Sequence, residues 1–408
     1  MPILSNLKST VFLLFLALSS CRGQQKQEIN TTAEEIISPL PEIKVAANRT
    51  EIYLPMLQGK KVGIVANPTS VIFNDKGYSH LVDSLVSLGV DVKKVFAPEH
   101  GFRGTADAGE HVKDGVDAKT GVHIISLYGK NRKPPHEQLG ELDVVVFDIQ
   151  DVGVRFYTFI ATLQLVMEAC AEHGTPIIVF DRPNPNGHYV DGPTMMKEHT
   201  SYLGLQPIPL VYGMTMGEYA QMLNGEGWLE NGNKADLTVI PLENYTHASE
   251  YHLPIRPSPN LPNDVSITLY PSLGLFEGTN VNAGRGTDFQ FQRYGASFMD
   301  STQYDFSYVP EPNFGSKTPK EEGKTCYGKD LSQSPRMNEM TLQWVIDAYK
   351  NTKDKSKFFL TSGFTKHAGT PVLQQQIEAG LSEAEIKTTW QADLESFKKI
   401  RAKYLIYE

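Results

Sequence analysis

Val144-Val145-Val146-Phe147 and Ile177-Ile178-Val179-Phe180 are runs of four without a single polar side chain. Successive residues of a strand point to opposite faces, so a strand of this kind must be covered on both sides. A parallel sheet between two layers of helices provides that cover. The surroundings repeat the pattern. Val62-Gly63-Ile64-Val65-Ala66, Val92 to Phe96, His123 to Tyr128 and Leu237 to Ile240 read as further strands. Leu81, Leu85 and Leu88 mark one face of a helix that starts at about Ser79 and stops at Gly89. A longer helix is expected from about Phe156 to Glu172, ending at Gly174, and another from Met216 to Leu223. This alternation specifies an α/β fold with a mostly parallel sheet and helices on both of its faces.

The pattern loosens after Asp181. A proline-rich passage (Pro254, Pro257, Pro259, Pro262) leads into the segment Leu269 to Thr287. From about Asp300 a loop rich in proline, glycine and lysine runs to about Pro335, followed by helical stretches near Leu342 to Tyr349 and Ser382 to Lys403. A chain of 408 residues is long enough for two domains. The expected boundary lies near residue 300, giving a main domain over 46–300 and a smaller one over 301–408.

The first residues read as a targeting segment. Lys8 precedes the apolar run Val11 to Leu18, which is too short to span a bilayer and suits a signal peptide. It ends in Leu18-Ser19-Ser20-Cys21, which resembles a bacterial lipobox with Cys21 as the lipidated residue. Residues 1–21 are therefore expected to be a lipoprotein signal peptide and the polar residues 22–45 a flexible tether. The expectation is an exported bacterial lipoprotein, held to a membrane only by its lipid and facing the periplasm. Cys170 and Cys326 form neither a disulfide framework nor a zinc-ligand spacing. A net charge of -9 argues against nucleic acid as a partner.

Polar residues cluster just past the apolar strands. They are Asn67-Pro68-Thr69-Ser70, then Pro98-Glu99-His100-Gly101-Phe102-Arg103-Gly104, then Asp148 to Tyr157, and finally Asp181-Arg182-Pro183-Asn184-Pro185-Asn186-Gly187. In a parallel sheet these loops leave the same edge, where open α/β sheets bind their ligands. A later segment, Phe276-Glu277-Gly278-Thr279-Asn280 with Gly284-Arg285-Gly286-Thr287, has a similar composition.

No glycine-rich phosphate cradle follows the first strand, no Walker A pattern occurs, and no serine sits in a nucleophile elbow, so no cofactor is expected. Carboxylates (Glu99, Asp148, Asp151, Glu277) beside amides (Asn67, Asn184, Asn280) and Tyr157 suit a polyhydroxylated sugar. Glycoside hydrolysis needs a carboxylic acid to protonate the leaving oxygen. Arginines at 103, 155, 182 and 285 suit a ligand that also carries an anion. Asp148 and Asp181 suit helix caps or turns equally well, and Arg155 and Arg182 suit structural pairing with those acids. His100, His111 and Asp148 match no metal-ligand spacing. Glu99, between a proline and His100-Gly101, fits neither a helix nor a turn and is the best candidate for chemistry.

These motifs, with Pro257-Ser258-Pro259-Asn260-Leu261-Pro262 and Tyr270-Pro271-Ser272, resemble the DUF1343 family over about residues 50 to 408. Its characterised members are exo-β-N-acetylmuramidases of glycoside hydrolase family 171. The resemblance implies a Rossmann-like catalytic domain, a smaller C-terminal α/β auxiliary domain and a cleft between them. It also implies removal of terminal N-acetylmuramic acid from the non-reducing end of peptidoglycan-derived glycan fragments. Glu99 falls on the family's proposed catalytic glutamate, here read as general acid, with Asp148 or Asp151 as base or steering the 2-acetamido group. Asn67, Ser70, His100, Arg103, Arg155, Tyr157, Arg182, Asn184, Glu277, Asn280 and Arg285 are the expected substrate contacts. The competing expectation is a non-catalytic, tethered binder of muropeptides or another anionic glycan, which would tolerate loss of the Glu99 acid.

Overall fold

The computed structural model describes residues 42–99, 101–103, 114–129 and 131–408. Cys21, His100 and His111 lie outside them. Residues 42–408 form one compact unit.

The strands are β1 (Lys61–Ala66), β2 (Val71–Asn74), β3 (Gly77–His80), β4 (Asp91–Ala97), β5 (Gly115–Val116), β6 (His123–Ser126), β7 (Val144–Asp148), β8 (Ile177–Phe180) and β9 (Leu237–Ile240). The main sheet has seven strands in the order β5-β6-β4-β1-β7-β8-β9. Every pairing in it is parallel except β5 against β6. The apolar runs account for the layering. Val145 and Phe147 of β7 and Ile177 and Val179 of β8 enter one core, whereas Val144, Val146, Ile178 and Phe180 enter the other.

Helices α1 (Thr50–Leu57) and α2 (Leu81–Ser87) cover the second face. The first is covered by α3 (His136–Leu139), α4 (Phe159–His173), α5 (Met216–Gly225) and side chains from the C-terminal third. That third contains α6 (Asp264–Leu273), an antiparallel sheet in the order β10 (Arg293–Ala296), β12 (Cys326–Asp330), β11 (Phe306–Tyr308), and five short helices. These are α7 (Gln343–Lys350), α8 (Thr361–Ala368), α9 (Val372–Glu378), α10 (Glu383–Thr388) and α11 (Gln391–Arg401).

The expected strands of the main sheet appear within two residues of their places. Three expectations change. The helix placed from Ser79 begins only at Leu81, because Ser79 belongs to the β2–β3 hairpin and the His80 side chain caps the helix by accepting from Val82 N. The helix placed from Phe156 begins at Phe159, after a 3₁₀ turn over Arg155–Tyr157. The stretch over 382–403 breaks near Thr389 into α10 and α11.

Helix α8 is held against the 3₁₀ turn Gly274–Gly278 at very close range. A Cβ added at Gly278 would sit 2.3 Å from Phe364 Cα, and Leu360 N donates to Gly278 O at 3.0 Å. Gly278→Ala is expected to destabilise the fold by about 1–3 kcal/mol, since the crowding atoms are the backbone and Cβ of the buried Phe364, which have no room to relax. Urea unfolding measures this; a neutral substitution would mean that α8 is not closely docked.

Candidate active site

The loops after β1, β7 and β8 do converge, and chiefly on one another. Asp148, with no exposed surface at the end of β7, accepts a two-pronged bond from Arg182 (Nε to Oδ1 2.6 Å, Nη2 to Oδ2 2.9 Å). The same Nη2 also reaches Val71 O at 2.9 Å. Ser70 Oγ donates to Asp148 O, and Gln150 N donates to Thr69 Oγ1 at 3.0 Å. Asn67 Oδ1 accepts from Thr69 N and Thr69 Oγ1, which fixes the turn after β1. Asn184 is similarly spent, donating to Met214 O and accepting from Asn186 N, both at 2.8 Å. Burial raises the Asp148 carboxyl despite its arginine, and pushes Asp151 up to about 6 against the bonds it accepts from Tyr212 Oη and Gly153 N. Most of these polar atoms bond to one another rather than face an open site, and Asn67 Nδ2 and Asp151 Oδ1 are buried with no partner among the described residues.

Beside this plug lies a cleft of 320 Å³. The chain leaves β4 at Ala97 and turns at Glu99, which enters the cleft wall with Thr158 Oγ1 3.4 Å from its Oε2. Phe156, Tyr157, Tyr270 and Phe291 give the cleft an aromatic lining. Thr158 and Phe291 hold φ angles of 54° and 51°, values that a β-branched and a bulky side chain resist. Such strain persists only where the surroundings impose it, and it gathers at functional sites.

Glu277, Arg285 and His367 form another part of the wall. Arg285 Nη1 donates to Glu277 Oε2 at 3.0 Å, and Lys320 Nζ donates to the carbonyls of Phe276, Glu277 and Thr279. Burial pulls the Glu277 carboxyl upward, but the charges of Lys320 and Arg285 outweigh it and hold the group below the ordinary carboxylate range. Burial, then the charges of Glu277 and Glu99, raise the Tyr270 hydroxyl far above the usual range. His367 Nδ1 lies 2.9 Å from Gly363 O, a pure acceptor, so Nδ1 carries the proton and the neutral ring keeps an acceptor at Nε2. Burial lowers its pKa.

Glu99, Tyr157, Glu277 and Arg285 thus meet in one cleft. Arg103 turns elsewhere, bridging Asp83 (2.9 Å) and Asp117 (2.7 Å). Arg155 is fully buried and donates to the carbonyls of Pro193, Ile208 and His367 at 2.8, 2.8 and 2.9 Å. Asn280 donates to Lys357 O at 2.7 Å. Thr158, Ser258, Asn260, Phe291 and His367 line the cleft without having been singled out as contacts. Ser258 and Asn260 sat in a recognisable proline-rich motif; a lone histidine in a helix such as His367 carries no comparable signal.

Family models for the N-terminal and C-terminal parts of the exo-β-N-acetylmuramidase NamZ match residues 62–265 and 268–407. A peptidoglycan β-N-acetylmuramidase NamZ of Bacillus subtilis strain 168 is 39% identical over 375 residues, covering 87% of this chain and 89% of the relative. A crystal structure of a DUF1343 family protein from Bacteroides fragilis NCTC 9343 superposes with a TM-score of 0.83 at 42% identity, covering 90% of this chain and 99% of that one. A second DUF1343 protein of that organism gives 0.75 at 26% identity, covering 90% and 100%. Fold and family models thus define a two-domain α/β glycosidase. The chain belongs to the exo-β-N-acetylmuramidase NamZ family.

Replacing Asp148 by Asn leaves the Arg182 guanidinium buried without its counter-charge. Unfolding free energy is expected to fall by about 3–5 kcal/mol. Denaturant titration checks this, and an unchanged midpoint would assign the pair no structural part.

Proposed function

We propose that the cleft releases terminal N-acetylmuramic acid from the non-reducing end of peptidoglycan fragments in cell-wall recycling, with Glu99 as general acid. The observation that carries this reading is the meeting of Glu99 and Glu277 in one aromatic-lined cleft of ligand size. Glu99 gives its proton to the glycosidic oxygen as the bond to the anomeric carbon breaks; water then forms the new bond to that carbon, and the proton it gives up restores the acid. Glu277 stays ionised beside its cations and faces the positive charge that develops on the sugar ring. Asp148 and Asp151, buried and already bonded, support the loops around that chemistry. His367 Nε2 and the amide of Asn260 offer hydrogen-bond partners for sugar hydroxyls.

Glu99→Gln keeps the shape of the side chain but not its transferable proton. Release of muramic acid from a chromogenic muramide is expected to fall by about 10²–10⁴-fold, with the thermal midpoint unchanged. Undiminished turnover by the variant would remove Glu99 from the chemistry, and a wild type that binds muramides without cleaving them would instead be the tethered binder.

The lipobox-like Leu18-Ser19-Ser20-Cys21 supports export and anchoring through Cys21, which would place the site where wall fragments are met. Cys21→Ser is expected to move the protein from the membrane fraction to the soluble one; retention in membranes would count against the anchor.

A further inference from the structure

A second cavity, of 260 Å³, abuts the cleft and shares Glu277 and Arg285 with it as lining. Asn282, Ala283 and the segment over 316–320 supply its other walls. The charges around it do not balance among Glu277, Arg285 and Lys320, where two cations face one carboxylate.

The two cations differ in what they can still do. An ammonium has three donors, and Lys320 directs bonds of 2.9, 3.1 and 2.7 Å to the carbonyls of Phe276, Glu277 and Thr279. It supplies positive potential but has no N–H left for a ligand. A guanidinium has five donors in a planar fork. In Arg285, Nη1 serves Glu277 at 3.0 Å, whereas Nη2 makes only a long contact of 3.4 Å to Gly315 O. That carbonyl already accepts from Asn260 Nδ2 at 2.6 Å, so the long contact is expendable. Arg285 Nε is buried and has no hydrogen-bond partner among the described residues. A buried donor without a partner costs about 1–3 kcal/mol, so an acceptor that reaches it from the cavity is favoured.

The unused donors lie on the Nε–Nη2 edge. This is the edge with which Arg182 grips the carboxylate of Asp148 elsewhere in the same molecule. We propose that the Nε–Nη2 edge of Arg285 receives the lactyl carboxylate of the muramyl ring, with Glu277 orienting the guanidinium from Nη1 and Lys320 setting the local positive potential. The inference rests on the muramidase reading. It makes Arg285 the group that separates N-acetylmuramic acid from N-acetylglucosamine, which lacks the lactyl substituent. The adjacency of Glu277 and Arg285 suits a sugar whose lactyl ether at C3 lies close to the reacting carbon C1.

The test compares free N-acetylmuramic acid with its lactyl methyl ester as inhibitors of chromogenic muramide hydrolysis, because the ester keeps the shape and removes the charge. In the wild type the acid is expected to inhibit about 10- to 100-fold better than the ester, the range for a charge-assisted hydrogen bond. In Arg285→Met the two should inhibit alike. Arg285→Lys, which keeps the charge without the fork, should show an intermediate preference. Equal inhibition by acid and ester in the wild type would overturn the proposal whether or not the variants fold. A full acid preference in Arg285→Met would overturn it too. If the wild type turns over no muramide, the muramidase reading itself fails, and calorimetric titration of acid and ester into the same protein then decides the carboxylate receptor.

Discussion

The pair formed by Asp148 and Arg182 governs the edge of the sheet on which everything else is built. Both groups are buried, Asp148 as the last residue of β7 and Arg182 just past the end of β8. The same guanidinium reaches Val71 O beyond β1, so a single side chain ties three successive strand exits together. A buried ion pair of this kind adds little net stability compared with apolar packing, yet removing one partner is expensive. Its value here is geometric. It fixes the loops over 67–71, 148–151 and 181–184 so that the next loop outward, carrying Glu99, has a rigid floor beneath it.

The cleft walls show the same division between what supports and what acts. Thr158 and Phe291 occupy backbone conformations that their side chains oppose, and both line the cleft. The strain is imposed from outside: α4 follows Thr158, and Phe291 N is held by Ala283 O at 2.8 Å. The consequence for Thr158 is that its hydroxyl points to the Glu99 carboxylate from the start of a well-buried helix. A carboxyl group held by residues that cannot themselves move keeps a fixed position in the cleft wall.

Much of this was legible in the sequence because burial leaves a compositional trace. The apolar runs of β7 and β8 could only be two-sided strands, and the polar residues after them could only gather at one edge. The same logic singled out Glu99, whose neighbours forbid regular structure. It left Arg182 open between a substrate contact and a structural pairing with an acid, of which the structure shows the second, and it failed for Arg155, since an arginine bound to carbonyls has the same local sequence as one that meets a ligand. The difference lies in long-range contacts, such as Arg155 to His367 O, that no local pattern encodes. His367 was invisible for a related reason: α8 is a short helix from the far end of the chain, brought to the cleft by its close approach to Gly278. The β10–β12 sheet left little trace because its strands are short and their apolar alternation is weak.

The position of the cleft follows from what the loops do to the usual ligand site of such a sheet. With the order β6-β4-β1-β7-β8-β9, the direction of winding reverses between β1 and β7. The crevice above that reversal is where doubly wound sheets ordinarily bind a ligand. Here Ser70 bonds to Asp148 O and Thr69 to Gln150 N directly across it, and Asn67, Asp148 and Arg182 fill it with their own side chains. Closing it moves the binding surface one strand outward, to the exit of β4. There the sheet supplies only one side of a pocket, through Glu99 and the turn before α4. Glu277, Arg285 and His367 of the C-terminal part must complete it. The requirement for a second domain is thus a consequence of the plug at the switch point, and a sugar site built of side chains from both parts is what that arrangement permits.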